Sequence, residues 1–407
     1  MKNHSIGRKI TILIVLFIFL FTTTFPVLSS YQTEHPLNNT IGENYHYFTY
    51  QEMTDLLHDL EDEYSDIMKL ESIGKTYQGR DIWMVKLSDN VDENEDEPGV
   101  LLMGAHHGNE KPSFETVIFF IQHMVHNYSK INTDDDGDGQ INEDPIDGIN
   151  NDGDGLTDED PSEDRVREVI DNTQIFCIPM VNPDGVEADT RKNCAPNYGP
   201  YGQSNEITSY GVDLNRNYGF RWLFPYLLKE NYHLEWLIDD ESGIYRGERP
   251  FSENESQAVK NFVETKDISI SLSYHDYGEW MIFPWMHSSR RVLHERLFRS
   301  IGENMSRINK YELKIYGQYG TQEYLIPRFT GTIGSSENWL YAKKRIIAYT
   351  VELCPNRAPT NPYIVYSACY RHVGVNLYVC ERSWTVEEEK VTSFKPTSTF
   401  FNFLSVI

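Results

Sequence analysis

Cysteine is scarce and scattered in this chain, with five in 407 residues (Cys177, Cys194, Cys354, Cys369 and Cys380) and no CxxC or Cys-His cluster. That excludes a disulfide-built fold and a thiolate metal site. At most two bridges are expected, with one thiol left over. Long apolar runs are missing after the first thirty residues, so the body of the chain should not span a membrane. Positive charge is also short, 36 Lys and Arg against 62 Asp and Glu, for a net −26. Such a balance argues against nucleic acid and anionic membrane surfaces as partners. More than half of the deficit is local, because residues 133–164 hold fourteen Asp or Glu and no Lys or Arg. What is plentiful is core material: 39% of residues are hydrophobic and 13% aromatic, enough for a large globular domain.

The first residues have their own logic. Lys2, Arg8 and Lys9 precede the apolar run Ile10 to Phe21, and small residues follow up to Ser29 and Ser30. This is the order of a secretory signal peptide, read here as residues 1–29 with cleavage after Ser29. The rival reading is an uncleaved anchor, since Ile10 to Ser30 carries no charge and is almost long enough to cross a bilayer. Under both readings the remainder lies outside the cytoplasm; with the leader cleaved, a secreted protein is expected, and a monomeric one. Only about fifteen residues separate the leader from Tyr45, so no large activating cut is expected.

From Tyr45 to Tyr64 the spacing of Phe48, Met53, Leu56, Leu57, Leu60 and Tyr64 predicts a helix. Ser72 to Arg80 reads as a turn, Asp81 to Ser88 as a strand, and Phe114 to His126 as a helix. Four further apolar runs end abruptly in polar residues. Val100 to Met103 opens into Gly104-Ala105-His106-His107-Gly108-Asn109-Glu110. Thr173 to Val181 ends at Asn182-Pro183-Asp184-Gly185, Ile268 to Tyr274 at His275, and Ile346 to Val351 at Glu352. Buried strands that each deliver a polar residue point to an α/β fold, whose sites cluster at strand ends. The expected architecture is one domain over residues 45–385, with a mixed, largely parallel twisted sheet flanked by helices. Residues 386–407 read as a tail.

The acidic insertion at 133–164 repeats itself: Asp136-Gly137-Asp138-Gly139 recurs sixteen residues later as Asp152-Gly153-Asp154-Gly155. Alternating Asp and Gly gathers carboxylates around tight turns, which suits a hard cation such as calcium. Candidate ligands are Asp134, Asp136, Asp138, Asp152, Asp154 and Asp158. The match to an EF-hand loop is partial, since Pro145 stands where its closing Glu belongs. The other reading is a solvated acidic loop.

His107 and Glu110, three apart on a bend permitted by Gly108, can aim at one point. Zinc accepts both ligand types, and a catalytic zinc needs one more protein ligand and an open position. Alone, such a pair is a weak signal.

Taken with the rest, the chain resembles the zinc carboxypeptidases related to pancreatic carboxypeptidase A, from about Tyr45 to about Ser383. The motifs that carry the resemblance are His107-Gly108-Asn109-Glu110, Asn182-Pro183-Asp184-Gly185, Thr190-Arg191-Lys192-Asn193, Asp213-Leu214-Asn215-Arg216-Asn217, Ser273-Tyr274-His275 and Val351-Glu352-Leu353, all in the family's order. The resemblance implies one zinc per chain held by His107, Glu110 and His275. It implies Glu352 as general base and Arg191 as the cation for the oxyanion. Asn215 and Arg216 would grip the substrate's terminal carboxylate, for which Arg's planar fork is suited. Asp213 would orient His107 through its other ring nitrogen. His106 lacks a Glu three positions on and is not expected to be a ligand.

The chain also departs from the family. Where a mobile Tyr belongs, nine residues before Trp339, it has Thr330, with Tyr324 or Tyr341 as substitutes to consider. Glu337 falls at the position that sets specificity, which implies basic C-terminal side chains; the other reading is a surface residue in a shifted loop. The expected function is a secreted zinc metallocarboxypeptidase acting on peptides or proteins. Two alternatives stay open: a zinc amidase on peptidoglycan stem peptides or another deacylase of the same fold, and a calcium-dependent binding module with a dead site.

Overall fold

The computed structural model describes residues 45–129, 141, 163–199, 202–224, 239–288, 290–315 and 332–392. Thr49 opens the first helix with a capping box: its hydroxyl accepts from the Glu52 N–H at 3.2 Å, and the Glu52 carboxylate accepts from the Thr49 N–H at 2.8 Å. That helix, α1 (Tyr50–Glu63), buries Met53, Leu57 and Leu60. It leads into β1 (Met68–Lys75), β2 (Asp81–Leu87), β3 (Gly99–Met103) and α2 (Pro112–Asn127). Next come α3 (Glu163–Ile170), β4 (Gln174–Ile178), the short α4 (Pro183–Glu187) and a two-stranded ribbon of β5 (Pro196–Asn197) and β6 (Ser209–Tyr210). After a 3₁₀ turn at Leu214–Arg216, the chain continues through α5 (Asn254–Glu264), β7 (Ile268–Asp276), β8 (Trp280–Phe283) and α6 (Glu295–Asn309). It closes with β9 (Glu312–Ile315), α7 (Ser336–Lys344), β10 (Ile347–Leu353) and α8 (Pro362–Thr392).

Eight strands form one mixed sheet in the order β1-β2-β4-β3-β7-β10-β8-β9. Its centre, β4-β3-β7-β10, is parallel throughout. Every residue of β3, β4 and β7 is buried, the pattern expected of a parallel sheet covered on both faces. One face packs against α1, α2, α6 and α8 through Leu57, Phe114, Ile118, Phe298 and Val373. The other takes Val259 and Phe262 of α5 and Trp339 and Leu340 of α7 against Leu101 and Met103. This is the single-domain, mixed, helix-flanked sheet that the strand pattern predicts. Because β3, β7 and β10 run parallel, their C-terminal ends bring His107, His275 and Glu352 to one edge of the sheet.

Three expectations change. Ser72 to Lys75 is not turn but the end of β1, and only the residues after it reverse the chain. The helix α8 runs through the point where a tail was expected to begin and buries Val386 on the way. All five cysteines are free thiols, four of them buried, so no bridge forms. Among the described residues, no helix is long and apolar enough to cross a membrane. The leader, Tyr324, Thr330 and the candidate calcium ligands Asp134, Asp136, Asp138, Asp152, Asp154 and Asp158 lie outside the described residues.

Candidate metal centre

The turn after β3 is held by a close backbone approach. A side chain at Gly108 would meet the Gly185 carbonyl carbon at 1.9 Å, so the His107-to-Glu110 turn and the Asn182-Pro183-Asp184-Gly185 turn fit only while position 108 is glycine. Ser113 tightens the same bend by accepting the Ala105 N–H at 3.0 Å.

From that bend His107 and Glu110 face His275 at the end of β7. His107 Nδ1 lies 2.9 Å from Glu110 Oε1, His275 Nδ1 lies 2.9 Å from Glu110 Oε2, and the two Nδ1 atoms are 3.2 Å apart. All three side chains are buried. A tetrahedral ion with bonds of about 2.0–2.1 Å would set its ligand atoms about 3.3 Å apart. The observed spacing and the two-imidazole, one-carboxylate donor set fit zinc. Burial opposes the charge on Glu110, but His107 and His275 outweigh it and hold the carboxyl well below the usual range.

A second layer fixes these ligands. His107 Nε2 meets Asp213 Oδ1 at 3.0 Å. The other oxygen of Asp213 receives Arg191 Nε–H at 3.0 Å and lies 2.9 Å from a second Arg191 nitrogen, while Arg191 Nη1 donates to Glu110 Oε1 at 3.2 Å. Burial works against the Asp213 charge too, yet Arg191 and His107 keep the carboxyl well below its ordinary value. The backbone N–H of Asp276 donates to Glu110 Oε2 at 3.3 Å.

Glu352 stands across the β7–β10 pair from His275. Burial raises its pKa well above the usual carboxylate range, the nearby Glu110 charge adds to that, and Arg191 opposes it. Asn215 Nδ2 lies 3.1 Å from His275 Nε2, and Asn215 Oδ1 accepts the Ser336 N–H at 2.8 Å. Arg216 donates from Nη1 to the Asn215 carbonyl at 2.7 Å, and its Nε is buried without a partner among the described residues. The hydroxyl of Ser336 donates to Glu337 Oε1 at 2.8 Å. Glu337 is fully buried rather than on the surface, and its Oε2 has no partner among the described residues.

The structure therefore gathers the residues singled out from sequence, His107, Glu110, His275, Arg191, Asp213, Asn215, Arg216, Glu337 and Glu352, around one strand-end site. Tyr341 does not join it: it is buried, and its hydroxyl accepts the His294 N–H at 3.2 Å. Two serines without a role assigned from sequence, Ser273 and Ser336, touch site residues. The strand alternation could have flagged Ser273, two residues before His275 and on the same side of β7. Nothing in the sequence marked Ser336.

The family model for zinc carboxypeptidases matches residues 53–368. The chain is 24% identical over 330 residues to a zinc carboxypeptidase of Saccharothrix mutabilis subsp. capreolus, covering 78% of this chain and 64% of that protein. To zinc carboxypeptidase A 1 of Anopheles gambiae it is 25% identical over 330 residues, covering 78% and 62%. It thus spans just under two thirds of the length of these relatives. Among solved structures it is similar to bovine thrombin-activatable fibrinolysis inhibitor in complex with tick carboxypeptidase inhibitor, with a TM-score of 0.60 at 18% identity, covering 83% of this chain and 97% of that one. The carboxypeptidase A of Helicoverpa armigera gives a TM-score of 0.61 at 16% identity, covering 86% and 75%. With the family model spanning most of the chain and three residues that could hold a metal brought to one point, this chain belongs to the zinc carboxypeptidase family.

Proposed function

We propose that the chain is a secreted, monomeric metallocarboxypeptidase that hydrolyses the last peptide bond of peptides or proteins. The observation that carries this reading is the convergence of His107, Glu110 and His275 with Arg191 and, in register beside them, Glu352. Zinc held by the three ligands would supply an acidified water and polarise the scissile carbonyl. Glu352 takes the water's proton and returns it to the leaving amine, and a carboxyl with a raised pKa is suited to both steps. Arg191, a cation next to Glu110, neutralises charge developing on the carbonyl oxygen. The substrate's terminal carboxylate is gripped by Arg216, whose Nε is uncommitted among the described residues, and by the Asn215 amide. That grip restricts cleavage to chain ends.

Glu337 sets the preference. A fully buried carboxylate with one oxygen lacking a partner among the described residues favours a cationic side chain, so substrates ending in Lys or Arg are preferred. The leader composition supports export of the chain.

The test is hydrolysis of blocked dipeptides ending in Arg, Phe and Glu by zinc-loaded protein, with a muropeptide beside them. Release of free amino acid, fastest from the Arg substrate, is expected. Zinc uptake with no release from any dipeptide but cleavage of the muropeptide would move the reading to a stem-peptide amidase.

A further inference from the structure

We propose that His106, beside the metal ligand but not one itself, is a positioning residue that fixes the ring of His275 through the hydroxyl of Ser273. The inference rests on the metal centre described above.

His106, Ser273 and Tyr218 are all buried. His106 Nε2 lies 2.9 Å from the Tyr218 hydroxyl and Nδ1 lies 3.2 Å from Ser273 Oγ. The same Oγ is 3.3 Å from His275 Nε2. The rings of His106 and His275 are stacked, 5.7 Å apart with planes 19° from parallel. A histidine on the bend after β3 and another on the adjoining strand β7 thus share one serine.

The direction of the hydrogens follows from the ligand. His275 turns Nδ1 toward Glu110 and His107, so an imidazole giving that atom to a metal carries its hydrogen on Nε2. This N–H needs an acceptor. Asn215 Nδ2, at 3.1 Å, is a donor, because the Asn215 oxygen already accepts from the Ser336 N–H at 2.8 Å. Ser273 Oγ is the acceptor that remains among the described residues. Its own hydrogen then goes to His106 Nδ1, and His106 Nε2–H donates to the Tyr218 hydroxyl. Ser273 and His106 then each have one donor role and one acceptor role, for His106 the pattern of a neutral imidazole.

An apolar side chain at position 106 would fill the same space among buried neighbours, yet it would leave the Ser273 hydroxyl free to rotate. The His275 ring would then lose the partner that sets its orientation. Partners of this kind, one step removed from a metal, are worth about 10–100-fold in metal affinity.

The test uses the full chain and zinc alone, with affinity measured by competition against a chromophoric chelator. His106→Leu and Ser273→Ala should each weaken zinc binding about 10–100-fold, and the double variant should be no weaker than the worse single, as expected of residues acting in one row. His106→Asn, which keeps an acceptor near the place of Nδ1, should stay within about threefold of wild type, which a merely space-filling role would not predict. Wild-type affinity in His106→Leu, or losses that multiply in the double variant, would overturn the proposal. Should His106→Leu fail to fold, Tyr218→Phe with Ser273→Ala makes the same cycle at the far end of the row, and multiplying losses there would also overturn it. A wild type that takes up no zinc would remove the metal-centre reading itself.

Discussion

Glu352 stands in register with His275 across the parallel pair β10 and β7, so both side chains leave the sheet on one face and at one level. The proposed base on one strand and the candidate metal ligand on the next therefore share a rigid frame with no loop between them. Replacing Glu352 with Gln keeps the shape and removes the proton acceptor. Activity should fall about 10²–10⁴-fold, the usual contribution of general acid-base catalysis, while bound zinc stays at the wild-type level. Blocked-dipeptide hydrolysis with zinc quantified in the same samples reads both quantities. Full activity in Glu352→Gln would remove Glu352 from the mechanism.

Arg191 holds Asp213 with two nitrogens and Glu110 with a third, so its planar fork is fixed beside the candidate metal centre. Arg191→Met should lower kcat about 10²–10³-fold, as for loss of an oxyanion donor, with a much smaller change in KM. A rise in KM at constant kcat would make Arg191 a ground-state binding residue instead.

Much of this centre was legible before any fold was known, and the reason is physical. Short apolar strands that end at polar residues are buried on both faces, so His107, His275 and Glu352 could only emerge at their ends. What hid β1 was its glycine. Gly74 interrupts the strand pattern because a side chain there would meet the Ala258 methyl of α5 at 2.8 Å, and the sequence shows the glycine but not the helix. The strands β8 and β9, four residues each, are too short for a period to register. The length of α8 was masked because its polar and apolar residues do not sort into one stripe, as suits a helix packed against both α2 and α6. The burial of Glu337 depends on Ser336 and Asn215 meeting across 121 positions, which no local pattern encodes.

That burial makes the specificity assignment testable. Glu337→Gln keeps the volume and the Ser336 contact but removes the charge. The ratio of kcat/KM for substrates ending in Arg over those ending in Phe should fall by about 10–100-fold, in line with about 1–3 kcal/mol for one pocket contact. An unchanged ratio in a folded variant would show that Glu337 does not face the substrate side chain.

The last prediction concerns stability. Glu115 is buried at the start of α2, where its carboxylate accepts the Phe48 N–H at 2.8 Å and ties the segment before α1 to the core. Burial raises its pKa from the ordinary 4.5 to about 8. Below pH 4.5 the group is protonated in both folded and unfolded chains. Between 4.5 and about 8 the folded protein holds a proton that the unfolded chain has released, so its contribution to stability falls as pH rises and is gone above about 8. A shift of this size corresponds to roughly 5 kcal/mol. Glu115→Gln imitates the protonated form and can still accept from Phe48, so it lacks this slope. The variant and the wild type should denature alike near pH 5, and the variant should become the more stable of the two as pH approaches 9. Chemical denaturation at both pH values measures the difference. Other buried carboxyls such as Glu255, raised to about 8, tilt both curves equally, so the comparison isolates Glu115. Parallel curves across the range would show that Glu115 is already ionised in the folded protein.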